Sequence, residues 1–208
     1  MIYILKLLIA KGLKILLHPP ALRKCCIDKS SRVCSGSELT RVTLGRYSYI
    51  GNRCFMVNVK IGNFCSIADK CCIGGAKHPL TRVSSSPVFC EGPNVMMTNF
   101  SNFSNIETPC TIIKNDVWLG MGCYIKAGVT IHNGAVIGMG SIVTRDVPAY
   151  EIWAGNPARK IGQRFDPNIS ALLESTNWWD WDLQTLKKYS PVFDDVSSFL
   201  FEMKKEMF

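Results

Sequence analysis

The chain has 208 residues, of which 47% are hydrophobic and 19% are charged. These values are ordinary for one globular domain with a small appendage. The net charge of +8 is uneven: residues 1–165 carry 20 Lys/Arg against 8 Asp/Glu, whereas residues 166–208 carry 4 against 8. The basic part favours a phosphorylated cofactor or another polyanion, and the absence of a recognised nucleic-acid-binding motif argues against nucleic acid.

The N-terminal segment MIYILKLLIAKGLKILL predicts a short basic amphipathic helix. Lys6, Lys11 and Lys14 interrupt its aliphatic residues, so it is too charged and too short for a transmembrane helix. It also has no small-residue cleavage site of a signal peptide. Two interpretations stay open: a cap on the end of the domain, stopped by the prolines at 19–20, or peripheral contact of residues 1–24 with an anionic membrane face.

The ten cysteines allow a secreted disulfide framework or a reduced cytoplasmic chain. No signal peptide precedes them, and their spacing contains no paired CxxC set. We therefore expect a reduced, cytoplasmic protein without a bound metal.

The clearest pattern is a repeat of six residues. From residue 113 onward, aliphatic residues recur at a fixed interval, at Ile113, Leu119, Ile125, Ile131, Ile137 and Val143. Four places after each comes a small or short residue: Val117, Cys123, Val129, Ala135, Ser141 and Val147. The same template fits upstream from Leu44, with a slip of one residue between Met56 and Ile61.

Neither an α-helix nor an alternating strand has a period of six. Three flat six-residue sides can instead close a triangular coil, and each coil can pair with the next as parallel strands. The aliphatic residue then points inward, and the small residue fits near the corner. The sequence therefore predicts an all-β parallel β-helix, with four cysteines in its core: Cys54, Cys65, Cys71 and Cys123.

Residues 74–112 interrupt the repeat and are rich in Ser, Asn, Pro and Gly. A loop of this length in a compact domain is usually functional. It leaves the coil at Gly74 and Gly75 and carries His78 soon after. An imidazole there can take a proton from an attacking hydroxyl and return it to a leaving group. The alternative is an ordinary polar loop residue.

Residues 166–208 predict a helical tail. Its element WWDWD contains Trp178, Trp179 and Trp181, which we expect to dock the tail on the prism. A role in stacking on a sugar is the alternative.

These features resemble the hexapeptide-repeat acyltransferases, and within them the xenobiotic acetyltransferase branch. That branch includes type B chloramphenicol and streptogramin acetyltransferases and sugar O-acetyltransferases. The resemblance covers roughly residues 44–182 and depends on the markers IGNFCSI, GAKHP, IKNDVWLG, GSIVTRDVPAY, AGNPARKI and WWDWD. It implies a left-handed parallel β-helix, a homotrimer with active sites between subunits, acetyl-CoA as co-substrate and His78 as catalytic base.

The resemblance also assigns the contacts with acetyl-CoA. The matching positions in this sequence are Trp118, Gly120, Met139, Thr144, Arg145, Asn156, Pro157 and Arg159. Some relatives carry a further basic residue three places after Arg159. Gly162 stands there in this chain and Arg164 comes later, so the cation that meets the 3′-phosphate stays open.

The sequence predicts three parts: an N-terminal helix or cap (1–30), the β-helix with its loop (31–165) and the helical tail (166–208). The expected reaction is acetyl transfer to a hydroxyl of a sugar or polysaccharide unit, in a capsule or O-antigen, at the cytoplasmic face of the inner membrane. The alternative acceptor is a streptogramin or chloramphenicol hydroxyl. Apolar residues of the loop would form the acceptor wall: Val88, Phe89, Met96, Met97, Phe100 and Phe103.

Two further function classes are weaker. A zinc-dependent carbonic anhydrase on the same fold needs three converging histidines, and His18, His78 and His132 are not similarly placed in the coils. A non-enzymatic scaffold would not need the GAKHP, NDVW and GNPAR motifs together.

Overall fold

The computed structural model describes Ile9, Gly12, Leu13 and residues 16–205. Its strands are β1 (Ala21–Arg23), β2 (Cys26–Ile27), β3 (Arg32–Val33), β4 (Glu38–Leu44), β5 (Tyr49–Ile50), β6 (Phe55–Ile61), β7 (Ser66–Ile67), β8 (Cys72–Gly74), β9 (Thr111–Ile113), β10 (Trp118–Leu119), β11 (Tyr124–Lys126), β12 (Thr130–Ile131), β13 (Val136–Ile137), β14 (Ile142–Val143), β15 (Glu151–Gly155) and β16 (Ala158–Gln163). The helices of the tail are α1 (Pro167–Thr176), α2 (Leu183–Tyr189) and α3 (Val196–Lys205).

Each coil of the chain contributes strands to three faces. The first face contains β1, the N-terminal halves of β4 and β6, and then β8, β11 and β14. The second contains β2, the C-terminal halves of β4 and β6, and then β9 and β12. The third contains β3, β5, β7, β10, β13 and β15, and there β16 adds an antiparallel strand. The pairs between successive coils are parallel, which confirms the predicted β-helix.

The aliphatic residues of the repeat stack inside the prism. On the first face, Met56 pairs with Ile73, and Ile73 pairs with Ile125. On the third face, Ile67 pairs with Leu119 in the same way. All five side chains are at most 3% exposed. Burial of one apolar side chain of this size contributes about 1.5–3 kcal/mol, so the stack is the main source of stability.

The corner between the first and second faces explains the slip in the repeat. Here β4 and β6 each continue around the corner as a single strand. Arg41 and Asn58 stand at the bend with φ values of 55° and 57°. This left-handed conformation turns the strand within one residue. This side of the coil is therefore one residue shorter than the six-residue repeat.

The next coil is opened at the same corner by the long loop. Gly74 pairs with Val57, and Thr111 pairs with Val59. Residues 75–110 therefore take the place that Asn58 alone occupies in the coil before. Because Gly74 belongs to β8 and Thr111 to β9, the excursion is narrower than the predicted range of 74–112.

The four predicted core cysteines lie inside the coils, and they also donate hydrogen bonds. The Sγ of Cys54 lies 3.3 Å from the carbonyl oxygen of Ala68, one coil further on. Ser48 makes the same kind of contact to Gly62, at 2.8 Å. A small side chain with a donor therefore suits this position, whether it is serine or cysteine. Burial raises the pKa of the Cys65 thiol to about 12, which keeps it protonated and unreactive.

The tail packs against the corner between the second and third faces. The Arg46 guanidinium donates to the carbonyl oxygens of Trp179 and Trp181, and Nδ2 of Asn63 donates to that of Trp179. The ring of Trp178 lies 4.9 Å from the ring of Phe64. These contacts give the tryptophans of the tail the docking role that the sequence predicts.

The start of the chain differs from the sequence-based division. β1 and β2 already pair with β4, so the stack begins at Ala21, inside the range predicted as an N-terminal cap. Of the N-terminal segment, Ile9, Leu13 and residues 16–17 are helical and exposed. Lys6, Lys11 and Lys14, and with them half of the predicted membrane-contact segment, lie outside the described residues. No helix in the described part of the chain is long and apolar enough to span a bilayer.

Candidate active site

His78 is carried out of the prism by two glycines. Gly74 and Gly75 have φ values of 80° and 116°, a region that favours glycine. A Cβ atom on Gly74 would lie 2.2 Å from the carbonyl oxygen of Val57 in the coil below, so only glycine fits at this exit. The side chain of His78 is exposed. The local sequence GGAKH therefore places an accessible imidazole just outside the scaffold.

The imidazole is held by one hydrogen bond. Nδ1 of His78 lies 2.9 Å from the carbonyl oxygen of Ser85. A carbonyl oxygen only accepts, so Nδ1 carries the proton in this pair. In the neutral ring, Nε2 then has the free lone pair. This arrangement is the one that a general base requires.

The loop is fixed at its base and has its own small core. Nδ2 of Asn58 donates to the carbonyl oxygen of Thr108 at 2.8 Å, beside the point where the loop returns. Further out, the backbone N–H of Phe103 donates to the carbonyl oxygen of Phe89 at 3.2 Å, and Cys90 is buried between these segments. The loop is therefore an ordered element.

A cavity of about 530 Å³ opens in the loop that carries His78. Its lining residues are Thr81, Arg82, Val83, Ser84, Phe89 and Phe103. Ser84 directly precedes Ser85, whose carbonyl oxygen holds the imidazole, whereas His78 itself is not among the lining residues. Phe89 and Phe103 belong to the predicted acceptor wall, whereas Met97 and Phe100 are strongly exposed.

Arg82 is one of the lining residues that the sequence did not indicate. Its guanidinium carbon lies 5.5 Å from the centre of the Phe103 ring, and it donates to the carbonyl oxygen of Ser104 at 2.9 Å. An arginine in a loop without a repeat offers no signal of such a contact. The pair forms a flat guanidinium and aromatic surface at the cavity.

Three of the residues predicted to contact acetyl-CoA form one strip on the third face and its edge. Trp118 is 54% exposed although it belongs to a strand of the stack. A Cβ atom on Gly120 would lie 2.6 Å from the backbone nitrogen of Met139, so these two residues are in close contact. Beside Trp118 runs a groove of about 420 Å³, which Val136 and Ile152 also line.

Thr144 and Arg145 lie elsewhere, beside the base of the loop. Both line a cavity of about 570 Å³, together with Lys77 and Lys126. The guanidinium carbon of Arg145 also lies 5.8 Å from the centre of the Trp153 ring. The structure thus brings Thr144 and Arg145 near the loop but does not bring them together with Trp118 in one chain.

The basic residues near the end of the prism differ in availability. Arg164 donates to Asp116 at 2.8 Å and to the carbonyl oxygen of Gly134 at 3.0 Å, so its guanidinium is already engaged. Arg159 is exposed, and its guanidinium donates to the neighbouring carbonyl oxygen of Ala158, at 2.9 Å. It follows Asn156 and Pro157, which form the tip of the β15–β16 hairpin. Among the described residues, no group of three or more His, Cys, Asp or Glu side chains could hold a metal ion.

Comparison with known proteins places these features in context. Residues 110–145 match the family model of the bacterial transferase hexapeptide, six repeats. A chloramphenicol acetyltransferase from Agrobacterium fabrum is 40% identical over 137 residues, which are 64% of this chain and 64% of that protein. A chloramphenicol acetyltransferase from Morganella morganii is 36% identical over 149 residues, 70% of this chain and 69% of that protein.

The chain therefore spans about 64% of the length of the first of these relatives. Among solved structures, the S84T mutant of AntD, an N-acyltransferase from Bacillus cereus in complex with dTDP and coenzyme A, has a TM-score of 0.53. It is 21% identical, and the match covers 80% of this chain and 94% of that one. This likeness supports the fold.

Proposed function

Because this chain belongs to the hexapeptide-repeat acyltransferases, in the xenobiotic acetyltransferase branch, we propose that it transfers an acetyl group from acetyl-CoA to a hydroxyl group. The observation that carries the proposal is the pairing of Nδ1 of His78 with the carbonyl oxygen of Ser85, at 2.9 Å. This contact leaves Nε2 of an exposed imidazole as a proton acceptor, on a loop whose cavity is large enough for a small acceptor.

Acetyl-CoA supplies the acetyl group as a thioester. Nε2 of His78 takes the proton of the acceptor hydroxyl as its oxygen attacks the thioester carbonyl. The new C–O bond forms and the C–S bond breaks, and the imidazolium returns the proton to the departing thiolate. No covalent bond to the protein is needed, which agrees with a Cys65 thiol that burial keeps protonated.

The proposed cofactor site joins two chains. Trp118, Gly120 and Met139 offer an aromatic ring and a tight backbone approach on the third face, which suit the pantetheine arm. His78 and Thr144 lie at another edge of the same chain. A homotrimer with the groove between neighbouring prisms would bring one chain's Trp118 strip to the next chain's loop.

The phosphates of acetyl-CoA need cations that are not already paired. Arg164 is held by Asp116, so we assign the 3′-phosphate to Arg159 at the end of the hairpin. Arg145 is the second candidate, from the neighbouring edge. Asn156 and Pro157 would position this turn against the cofactor.

For the acceptor we propose a sugar hydroxyl of a polysaccharide unit. The Arg82–Phe103 surface lies in the same loop as His78 and suits the flat face of a sugar ring. A lipid-linked glycan at the cytoplasmic face of the inner membrane would also give residues 1–24 a peripheral role.

The second candidate acceptor is an antibiotic. The relatives from Agrobacterium fabrum and Morganella morganii carry the name chloramphenicol acetyltransferase, and the cavity includes Phe89, Phe103 and Val83. These side chains suit a drug with an apolar ring as well as a sugar.

The test is release of CoA from acetyl-CoA in the presence of a panel of acceptors. The panel contains nucleotide-linked and lipid-linked sugars, oligosaccharides, chloramphenicol and a streptogramin. We expect a sugar to give the highest kcat/KM. Transfer to the drugs alone would refute the sugar acceptor but agree with acetyl transfer to a hydroxyl group. Absence of transfer to any hydroxyl would refute both the sugar acceptor and the acetyl-transfer activity.

A further inference from the structure

A second cavity lies between the prism and the tail, away from the loop that carries His78. Its volume is about 480 Å³, which is in the range of small-molecule sites. Its lining residues are Asp116, Tyr150, Arg164, Phe165, Leu173, Trp178, Phe193, Asp194, Asp195, Val196 and Phe199. The lining includes no residue of the 75–110 loop and none of the residues assigned above to acetyl-CoA.

Tyr150 is the first reason to regard this cavity as a site. Its side chain is 1% exposed, and its hydroxyl is the one buried side-chain polar atom without a hydrogen-bond partner in the described part of the chain. A buried hydroxyl without a partner costs about 1–3 kcal/mol. Burial also raises the pKa of this hydroxyl, so it stays neutral. A bound ligand would supply the missing partner.

The charges of the lining indicate the kind of ligand. Arg164 is neutralised by Asp116, at 2.8 Å. Asp195 caps α3 by accepting from the backbone N–H of Ser198 at 2.7 Å, and Asp194 makes no ion pair among the described residues. The cavity therefore has an excess of negative charge. It would repel an anion such as a CoA phosphate and attract a cation.

The aromatic walls favour an organic cation over a metal ion. Five of the lining side chains are aromatic: Tyr150, Phe165, Trp178, Phe193 and Phe199. The Arg164 guanidinium already lies over two of these rings, 5.7 Å from the centre of Tyr150 and 5.2 Å from the centre of Phe165. The faces of Trp178, Phe193 and Phe199 can attract an ammonium group and cover apolar carbon at the same time. The oxygen of Tyr150 can accept an N–H bond from an ammonium group.

We propose that the cavity between the prism and the tail binds a small organic amine in its protonated form. The aromatic side chains enclose its apolar body, the oxygen of Tyr150 accepts one of its N–H groups, and Asp194 and Asp195 balance its charge. Asp116 and Arg164 also line the groove beside Trp118, so the two cavities share two lining residues. Neither proposal depends on the other.

The test uses two probes of nearly the same shape, benzylamine and benzyl alcohol. Each is titrated into the full-length protein at pH 7 without acetyl-CoA, and binding is followed by calorimetry and by tryptophan fluorescence. We expect benzylamine to bind saturably, at least tenfold more tightly than benzyl alcohol. Tyr150→Phe keeps the ring and removes the hydroxyl, so it should weaken benzylamine binding about fivefold.

Asp194→Asn should weaken benzylamine binding at least threefold. Two control variants should leave benzylamine binding unchanged. Glu202→Gln removes an acidic side chain elsewhere on the tail, and His78→Ala removes the imidazole of the loop. Thermal unfolding of each variant shows that the fold is kept. Absence of saturation, equal binding of the two probes, or no effect of Tyr150→Phe and Asp194→Asn would overturn the proposal. A loss caused by His78→Ala would place the amine in the loop cavity and overturn it as well.

Discussion

The stack of coils and the loop at residues 75–110 use apolar side chains in opposite ways. Inside the stack, Ile67 and Ile137 are 0% exposed, and each is covered by its counterpart in the next coil. In the loop, Leu80 and Met97 are 94% and 93% exposed. The stack therefore buries its hydrophobic residues within one chain, whereas the loop leaves several of its own exposed.

The junction between the two regions shows that they are separable. Val57 pairs with Gly74, and Val59 pairs with Thr111. The paired strands therefore keep the same register, whether Asn58 alone or the long loop connects the two sides of the corner. The loop thus adds His78 and a cavity without changing the scaffold. Substitutions in the stack should change stability, and substitutions in the loop should change activity.

The largest effect is expected for His78→Ala. Loss of a general base costs about 10²–10⁴-fold in kcat. Steady-state acetyl transfer measures this loss, and the melting temperature should stay within about 1 °C because His78 is exposed.

The matched control is His132→Ala, which removes a histidine from an outer position of the stack. This variant should keep near-normal kcat. Equal losses in the two variants, or near-normal activity of His78→Ala, would remove His78 from the catalytic role.

The next effect concerns stability. Ile67→Ala removes methylene and methyl groups from a fully buried position and should lower the free energy of unfolding by about 2–5 kcal/mol. Val83→Ala, in the exposed loop, should change it by less than about 0.5 kcal/mol. Urea denaturation compares the two. A large destabilisation by Val83→Ala would mean that the loop is part of the core, against the division made here.

A smaller effect is expected at the junction. Asn58→Gly keeps the left-handed backbone but removes the hydrogen bond to Thr108. The loop would then be held less firmly, and the acceptor KM should rise about two- to tenfold. Arg41→Gly, at the same corner one coil earlier, is the control and should leave KM unchanged. An equal change of KM in both variants would argue against an anchoring role for Asn58.

The sequence was a good guide to the fold because the repeat has a direct physical cause. Every interior position sees the same environment, so the same residue types recur, as at Ile61, Ile67 and Ile73. The slip between Met56 and Ile61 was visible, but its cause was not. It depends on left-handed residues at the corner, and Asn58 carries no pattern that separates it from other surface residues.

The candidate site was predicted less completely for a related reason. His78 stands out because the repeat stops just before it. Arg82 and the hydrogen bond to Ser85 depend on how an irregular loop folds, and no periodicity reports that. The cavity beside Tyr150 was missed because its walls come from the distant segments around Asp116 and Trp178.

The central claim is that the stack is a complete scaffold and that residues 75–110 carry the chemistry. The most direct test replaces residues 75–110 by a single asparagine, which reproduces the corner at Asn58. Circular dichroism, thermal unfolding and acetyl-CoA turnover are then measured on the same sample. We predict a folded β-helix with a cooperative transition and no detectable acetyl transfer. Retained transfer without the loop, or failure of the shortened chain to fold, would contradict the claim.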